Sequence, residues 1–208
     1  MNDTFSPGYE TPAAISLRER KKQLVQATIE ETALRLFQQK GYEQTSIQDI
    51  ANAVMMSTRT FFRYFASKEE VLLGSTHAAL HDALQYLQQL APLETPQAAL
   101  RATFLHLARR YQDQRASFLS RYLVAKQTPS IASIYLYALM EREQAIAEAL
   151  HSRLEPATDR IEIQLLVGIY MTAFRIAVEQ WLNQGAEGEL ASLLCVYLDR
   201  SAALARQM

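Results

Sequence analysis

TSIQDIANAVMMSTRTFFRYFASK, residues 45–68, reads as two short helices with a tight join. Ile47, Ile50, Ala51 and Val54 fall at i, i+3, i+4 and i+7, one apolar face of an α-helix. Two capping-box spacings precede that face, Thr45 with Gln48 and Ser46 with Asp49, and the sequence leaves both open. Asp49 in the first turn suits the positive end of the helix dipole. A helix is therefore expected from about Ser46 to Val54. A second starts at Ser57, a residue suited to an N-cap, and runs to about Phe65. Along it Ser57, Phe61 and Phe65 share an inward stripe. Thr58 and Phe62 follow on the next stripe, Arg59 and Arg63 on the one after, and Thr60 and Tyr64 on the remaining flank. An outer surface of hydroxyls, two guanidiniums and an aromatic suits DNA. Arginine reads guanine edges bidentately and threonine meets a base or a thymine methyl. Tyrosine and threonine hydroxyls hold phosphate oxygens. Such a helix, crossed by a short capped one, is what a helix-turn-helix lays in the major groove. The competing reading is an ordinary helix pair on the surface of an α-bundle.

Across this stretch the chain resembles the DNA-binding domain of TetR-type transcriptional regulators. The resemblance is carried by Ser46, Ile50, Ala51, Ser57, Thr60, Tyr64, Phe65, Lys68 and Val71-Leu72 at the family's spacing. Val54 and Met55 stand where that family usually has Ala-Gly, and Phe62 stands where it usually has Tyr. The missing glycine puts the turn backbone in question, because methionine enters positive φ less cheaply. Phe62 lacks a hydroxyl for phosphate.

The resemblance implies an all-α protein: a three-helix helix-turn-helix domain, then an α-helical ligand-binding and dimerisation domain, about nine helices in total. The expected divisions are 1–16 for a flexible arm, 17–67 for the DNA-binding domain and 68–208 for the body. The candidate DNA-binding set is Thr45, Ser46, Ser57, Thr58, Arg59, Thr60, Phe62, Arg63, Tyr64 and Lys68. Thr58, Arg59, Phe62 and Arg63 are expected towards the bases, and Ser46, Thr60, Tyr64 and Lys68 on phosphates. The implied partners are an inverted-repeat operator in double-stranded DNA, a second copy of the chain, and a small-molecule effector that releases a repressor from its operator.

Composition agrees with an α-helical chain. Six glycines and six prolines in 208 residues leave long tracts of Ala, Leu, Gln, Glu and Arg, strong helix formers. The net charge of −1 hides an asymmetry: Leu17–Lys68 holds nine Lys/Arg against five Asp/Glu, and the remainder is acidic. A basic head on an acidic body suits a DNA reader joined to something else. One cysteine, Cys195, excludes an intramolecular disulfide and is compatible with a reducing cytoplasm. The start, MNDTFSPGYETPAA, lacks the basic and apolar regions of a secretory signal. The most apolar run, Leu165–Phe174, is half a membrane span and is followed by Arg175, so no membrane partner is expected and the protein is read as cytoplasmic.

Around the motif, Leu17–Lys40 reads as the first helix, with Val25, Ile29, Ala33 and Leu36-Phe37 inward and Gly41 as its C′ residue. Its basic start, Arg18, Arg20, Lys21 and Lys22, either approaches the DNA backbone or is simply solvated. Ser67 and Glu70 form a capping box for a long helix to about Leu90. Further helices are expected near 96–112, 115–127, 130–155, 160–184 and 188–208. The segment Leu165–Val178 is apolar nearly all round, so it must be covered on several sides. With Leu190, Leu193, Leu194, Tyr197 and Leu204 of the last helix it matches the family's four-helix dimer interface. Gly168 permits close approach there or is merely tolerated.

No catalytic or cofactor motif stands out: there is no P-loop, G-x-G-x-x-G, G-x-S-x-G or H-E-x-x-H. His77 and His81 have metal-compatible spacing without a third ligand, His106 and His151 stand alone, and no cofactor is expected. The candidate effector-pocket residues are Phe104, Tyr111, Phe118, Tyr122, Tyr137, Met171, Phe174 and Arg175, although aromatics at this spacing also simply fill cores. Arg175 either holds a carboxylate effector or pairs with Glu179. Two other classes remain at this level. One is a helical effector- or protein-binding module without specific DNA readout; the other is a metal-assisted helical enzyme.

Overall fold

The computed structural model describes residues 16–91, 95–154 and 159–207; the sequence reading of an N-terminal arm lies almost wholly outside these. Among the described residues there are nine α-helices and no strand. They are α1 (Leu17–Lys40), α2 (Ile47–Ala53), α3 (Thr58–Phe61), α4 (Lys68–Gln89), α5 (Pro96–Asp113), α6 (Arg115–Lys126), α7 (Pro129–His151), α8 (Arg160–Asn183) and α9 (Leu190–Ala205).

The caps explain the boundaries. Ser46, not Thr45, starts α2. Its Oγ accepts from the Asp49 amide at 3.0 Å, and the Ser46 amide donates to Asp49 Oδ2 at 2.9 Å. Thr45 is instead fully buried, with Oγ1 donating to the Gly41 carbonyl at 2.8 Å. The second helix of the motif is shorter than its pattern suggests. Arg63 and Tyr64 donate to Thr60 and Phe61, three residues back, so one α-turn continues as a tighter turn. Phe61 and Phe65 nevertheless stay on one face and are both buried.

Met55, where the resembled pattern has glycine, adopts the left-handed backbone that glycine favours. Its φ is 55°, its amide donates to Asn52 at 3.1 Å, and the Met56 amide donates to Ala51 at 2.9 Å. That bond pair is the Schellman closure of α2. The side chain is 95% exposed, so no packing offsets the strained backbone.

Two apolar clusters form. In the head, Ile29, Ala33 and Phe37 of α1 meet Ile50 and Ala51 of α2, then Phe61, Phe65, Val71 and Leu72. Val124 of α6 and Ile131 of α7 join this cluster, tying head to body. The body core draws on α4 from Ala79 onwards and on α5 to α9, with Phe104, Leu107, Val167, Phe174, Trp181 and Leu194 at its centre. Helix α8 is long and apolar enough to cross a membrane by length and composition, which the shorter run weighed in the sequence did not register. Here it packs on α5, α7 and α9 instead. Leu190 and Leu194 face the body core, so they are not free to meet a second copy. His106 is not isolated: it bonds Asp82 at 2.6 Å and stacks on Tyr86 at 4.1 Å.

Head and body are also joined by a buried ion pair. Arg121 of α6 is 2% exposed and reaches Glu30 of α1 at 2.5 Å. The same guanidinium donates to the Val71 and Leu72 carbonyls of α4 at 2.5 and 2.6 Å. Burial raises the Glu30 carboxyl above the ordinary carboxylate range, and the Arg121 charge offsets this only in part. Gly74 makes room for the pair, since a Cβ there would lie 2.6 Å from Glu30 Oε1.

Two substitutions test these points by denaturant unfolding. Met55→Gly should stabilise the protein by about 0.5–1 kcal/mol, the relief of left-handed strain less the added chain entropy. Gly74→Ala should destabilise, although alanine favours helix by about 1 kcal/mol; in a Glu30→Ala background the same change should stabilise.

Candidate nucleic-acid interface and body cavity

The motif surface is built on α3 and its trailing turn. Ser57 caps α3, accepting from the Thr60 amide at 3.1 Å and sharing a 2.9 Å hydrogen bond with Thr60 Oγ1. These two hydroxyls therefore hold the start of the helix as well as lining its surface. Arg59, Phe62 and Arg63 are exposed, Phe62 by 54%. Among the described residues no carboxylate lies within 4 Å of either guanidinium. Two unpaired arginines flanking an exposed phenyl ring form a cationic, partly apolar surface suited to phosphates and base edges. Thr58 and Tyr64 are half-buried beside it, and Tyr64 packs on the head core.

Two helix starts complete the candidate set. At α2, Ser46 is exposed but its hydroxyl also donates to Asp49 at 2.7 Å. Hydrogen bonds from Ser46, aided by Lys40 at 3.6 Å, hold the Asp49 carboxyl below the usual range. At α4, Lys68 Nζ donates to the Tyr42 carbonyl at 2.9 Å and sits 4.4 Å from that ring's centroid. Tyr42 in turn donates to Glu69 at 2.6 Å. Burial, then the bond to Glu69, pushes the Tyr42 phenol far above its ordinary range, so it remains a donor. Lys68 thus has an internal role that its sequence position did not announce. Thr45 leaves the candidate set, because its buried hydroxyl is committed to the chain's own carbonyls.

The body holds a cavity of about 530 Å³ between α4, α5, α6, α7 and α8. Five of the eight candidate residues line it: Tyr111, Phe118, Tyr122, Phe174 and Arg175. Phe104 and Met171 lie in the core outside the lining, with Phe104 packed on Phe174 at 5.6 Å. Tyr137 is 64% exposed and also lies outside it, because α7 turns that stripe to the surface. Arg175 Nη1 lies 3.3 Å from Glu179 at the cavity edge. The sequence reading missed Arg121 and Arg142, the two buried arginines of the wall. Both lie on the apolar stripe of their helices, Arg121 between Phe118 and Val124 and Arg142 between Ala138 and Ile146, so helical spacing could have marked them as inward. His77 and His81 are exposed, and the described residues contain no group of three metal-ligating side chains.

A family model described as bacterial regulatory proteins of the tetR family matches residues 29–74. A second, described as the MftR C-terminal domain, matches residues 94–205, more than half of the chain. The chain belongs to the TetR family. The HTH-type transcriptional regulator TcmR of Streptomyces glaucescens is 30% identical over 178 residues, spanning 82% of this chain and 79% of TcmR. Among solved structures, Thermus thermophilus FadR, a TetR family repressor in complex with lauroyl-CoA, aligns with a TM-score of 0.53 at 24% identity. That alignment covers 85% of this chain and 93% of FadR. A TetR-family regulator from Streptomyces coelicolor aligns with a TM-score of 0.52 at 21% identity, covering 91% of this chain and 82% of that one. At such identities the structural likeness carries the fold, and the family membership rests on the sequence matches. The protein is a DNA-binding transcriptional regulator of the TetR family and not an enzyme.

Arg59→Ala should lower discrimination at particular operator positions by about 1–3 kcal/mol, the value of a bidentate base contact. Lys68→Ala should weaken operator and random DNA alike and also lower the melting temperature, because it removes the Tyr42 contacts. Titrations of both DNAs at two salt concentrations, with a thermal melt of each variant, check both expectations.

Proposed function

We propose that the protein is a homodimeric repressor whose two heads bind the half-sites of an inverted repeat and are released when an effector fills the body cavity. The observation that carries this reading is the pairing of two features through one residue. Arg121 lines the cavity and also holds α1 and the start of α4, which frame the helix-turn-helix. A ligand that moves α6 therefore acts on the helices that orient α3. The effector works only through its differential affinity for the bound and released arrangements. In this reading Thr58, Arg59, Phe62 and Arg63 meet bases, while Ser46, Ser57, Thr60, Tyr64 and Lys68 serve the phosphate backbone or position the groups that do. The surplus of cations in the head supports a salt-sensitive affinity.

The dimer reading is supported by the outer face of α8. Ile161, Leu165 and Ile169 recur every fourth residue and are 66%, 66% and 45% exposed in the single chain, and Ile176 further along is 41% exposed. Gly168 and Thr172 lie between them, and Tyr197, Ser201 and Leu204 of α9 border the same groove. An apolar stripe of this length on a DNA-binding regulator suits an isologous contact between two copies. Gly168 has room for a side chain within its own subunit, the nearest side-chain atom to an added Cβ being 3.5 Å away, so close approach of a partner helix would explain it. In this reading the dimer acts on chromosomal DNA in the cytoplasm.

The first test is a titration against the DNA flanking its own gene, at two salt concentrations, with random DNA as competitor. Tight binding that survives the competitor and weakens with salt supports the regulator reading; equal, weak binding to both DNAs would refute specific readout. Ile169→Glu should give a folded monomer with operator affinity reduced about a hundredfold or more, read by light scattering and the same titration. A soluble Ile169→Glu dimer would overturn the α8–α9 interface.

A further inference from the structure

The body cavity contains a buried positive charge that no carboxylate among the described residues answers. Arg142 of α7 is only 4% exposed and lines the cavity. Its Nη1 donates to the Tyr111 hydroxyl at 3.2 Å, and its Nε has no hydrogen-bond partner. Among the described residues no carboxylate lies within 4 Å of it. The other buried arginine of this wall, Arg121, is already matched by Glu30 and two carbonyls. Overall the lining holds four cationic side chains, Arg121, Lys126, Arg142 and Arg175, against the single carboxylate of Glu179. Glu179 lies against Arg175 at the edge, away from the need at Arg142.

A buried guanidinium without a counter-ion is costly, and a structure that keeps one generally supplies the anion from elsewhere. The shape around Arg142 narrows the choice. Tyr111 and Phe118 stack at 3.7 Å and Phe174 meets Tyr111 edge-on at 5.2 Å, giving an aromatic wall beside the charge. Leu139, Val178 and Leu182 make the rest of the nearby lining apolar. The volume of about 530 Å³ falls within the range of sites for drug-sized ligands, roughly 300–1,000 Å³.

We infer that this cavity binds an amphipathic carboxylate, with the carboxylate on Arg142 and Tyr111 and an apolar body against the Tyr111–Phe118–Phe174 wall. A carboxylate fits because its two oxygens match the planar guanidinium fork, and the Tyr111 hydroxyl stands beside that fork as a further donor. This deepens the effector reading above by naming the ligand class. The binding site itself stands whether or not the ligand regulates DNA binding.

The probes are 2-naphthoate and its neutral isostere 2-naphthamide, titrated calorimetrically into the full-length protein. Naphthoate should bind about tenfold or more tightly than the amide. Arg142→Met should bring the two within about twofold, while Arg175→Gln keeps the preference. Without ligand, Arg142→Met should melt at or above the wild-type temperature, because an unanswered buried charge has been replaced by an apolar side chain of similar length. A merely structural arginine would give the opposite shift. Equal binding of the two probes, no binding of naphthoate, a preference that survives Arg142→Met, or a lowered melting temperature in that variant would each overturn the assignment. A separate operator titration with and without naphthoate distinguishes the two levels. Arg142-dependent binding that leaves operator affinity unchanged would refute effector control while upholding the carboxylate site.

Discussion

The desolvated guanidinium of Arg121 ties this molecule together. A charge 2% exposed must find several partners or be expelled, and here the resulting link spans three helices. Glu30 brings α1, the Val71 and Leu72 carbonyls bring the start of α4, and Arg121 itself brings α6. Gly74 is the complementary constraint, because only a missing side chain lets the Glu30 carboxylate lie so close to α4. Around this point Val124 and Ile131 of the body enter the head's apolar cluster. Head and body are thus joined by a directional polar link embedded in apolar packing, and the position of α6 cannot change without affecting α1 and α4.

On the proposed function, that link is the path between the cavity and the DNA surface. The cavity wall and the strut share Arg121, so a ligand need not act at a distance through an unspecified path. What the head offers to DNA is set by different physics. Arg59, Phe62 and Arg63 stay exposed because the α3 segment spends its inward stripe on Phe61 and Phe65 and its capping hydroxyls on its own backbone. Met55 shows that a backbone conformation can outlast the residue that favours it. The two Schellman hydrogen bonds hold φ at 55° although methionine pays in strain.

The elements were legible in the sequence because local rules set them. The capping box at Ser46, the N-cap at Ser67, Pro96 at a helix start, and Gly41 and Gly185 after helix ends carry their own signals, although the Glu70 carboxylate accepts from the Ala66 amide and not from that of Ser67 as a full capping box requires. The inward faces of α1 and α3 followed from helical spacing, and the TetR-like motif followed from residue types at fixed separations. Thr45 and Ser46 show the limit: either can cap, and only the packing of Gly41 beneath Thr45 decides between them. Leu190 and Leu194 show it again, since an apolar face states that it is covered but not by which molecule.

By itself, then, the sequence determined an all-α regulator with a helix-turn-helix head, because helix periodicity, caps and the motif are properties of neighbours within a few residues. Tertiary structure alone decided what answers the buried charges. Arg121 and Arg142 look alike on paper, two arginines on the apolar stripes of their helices. One meets Glu30, 91 positions away in sequence, and the other meets the Tyr111 hydroxyl at the cavity wall, with no carboxylate within 4 Å among the described residues. Desolvation depends on everything that packs around a group, and that environment exists only once distant helices have come together.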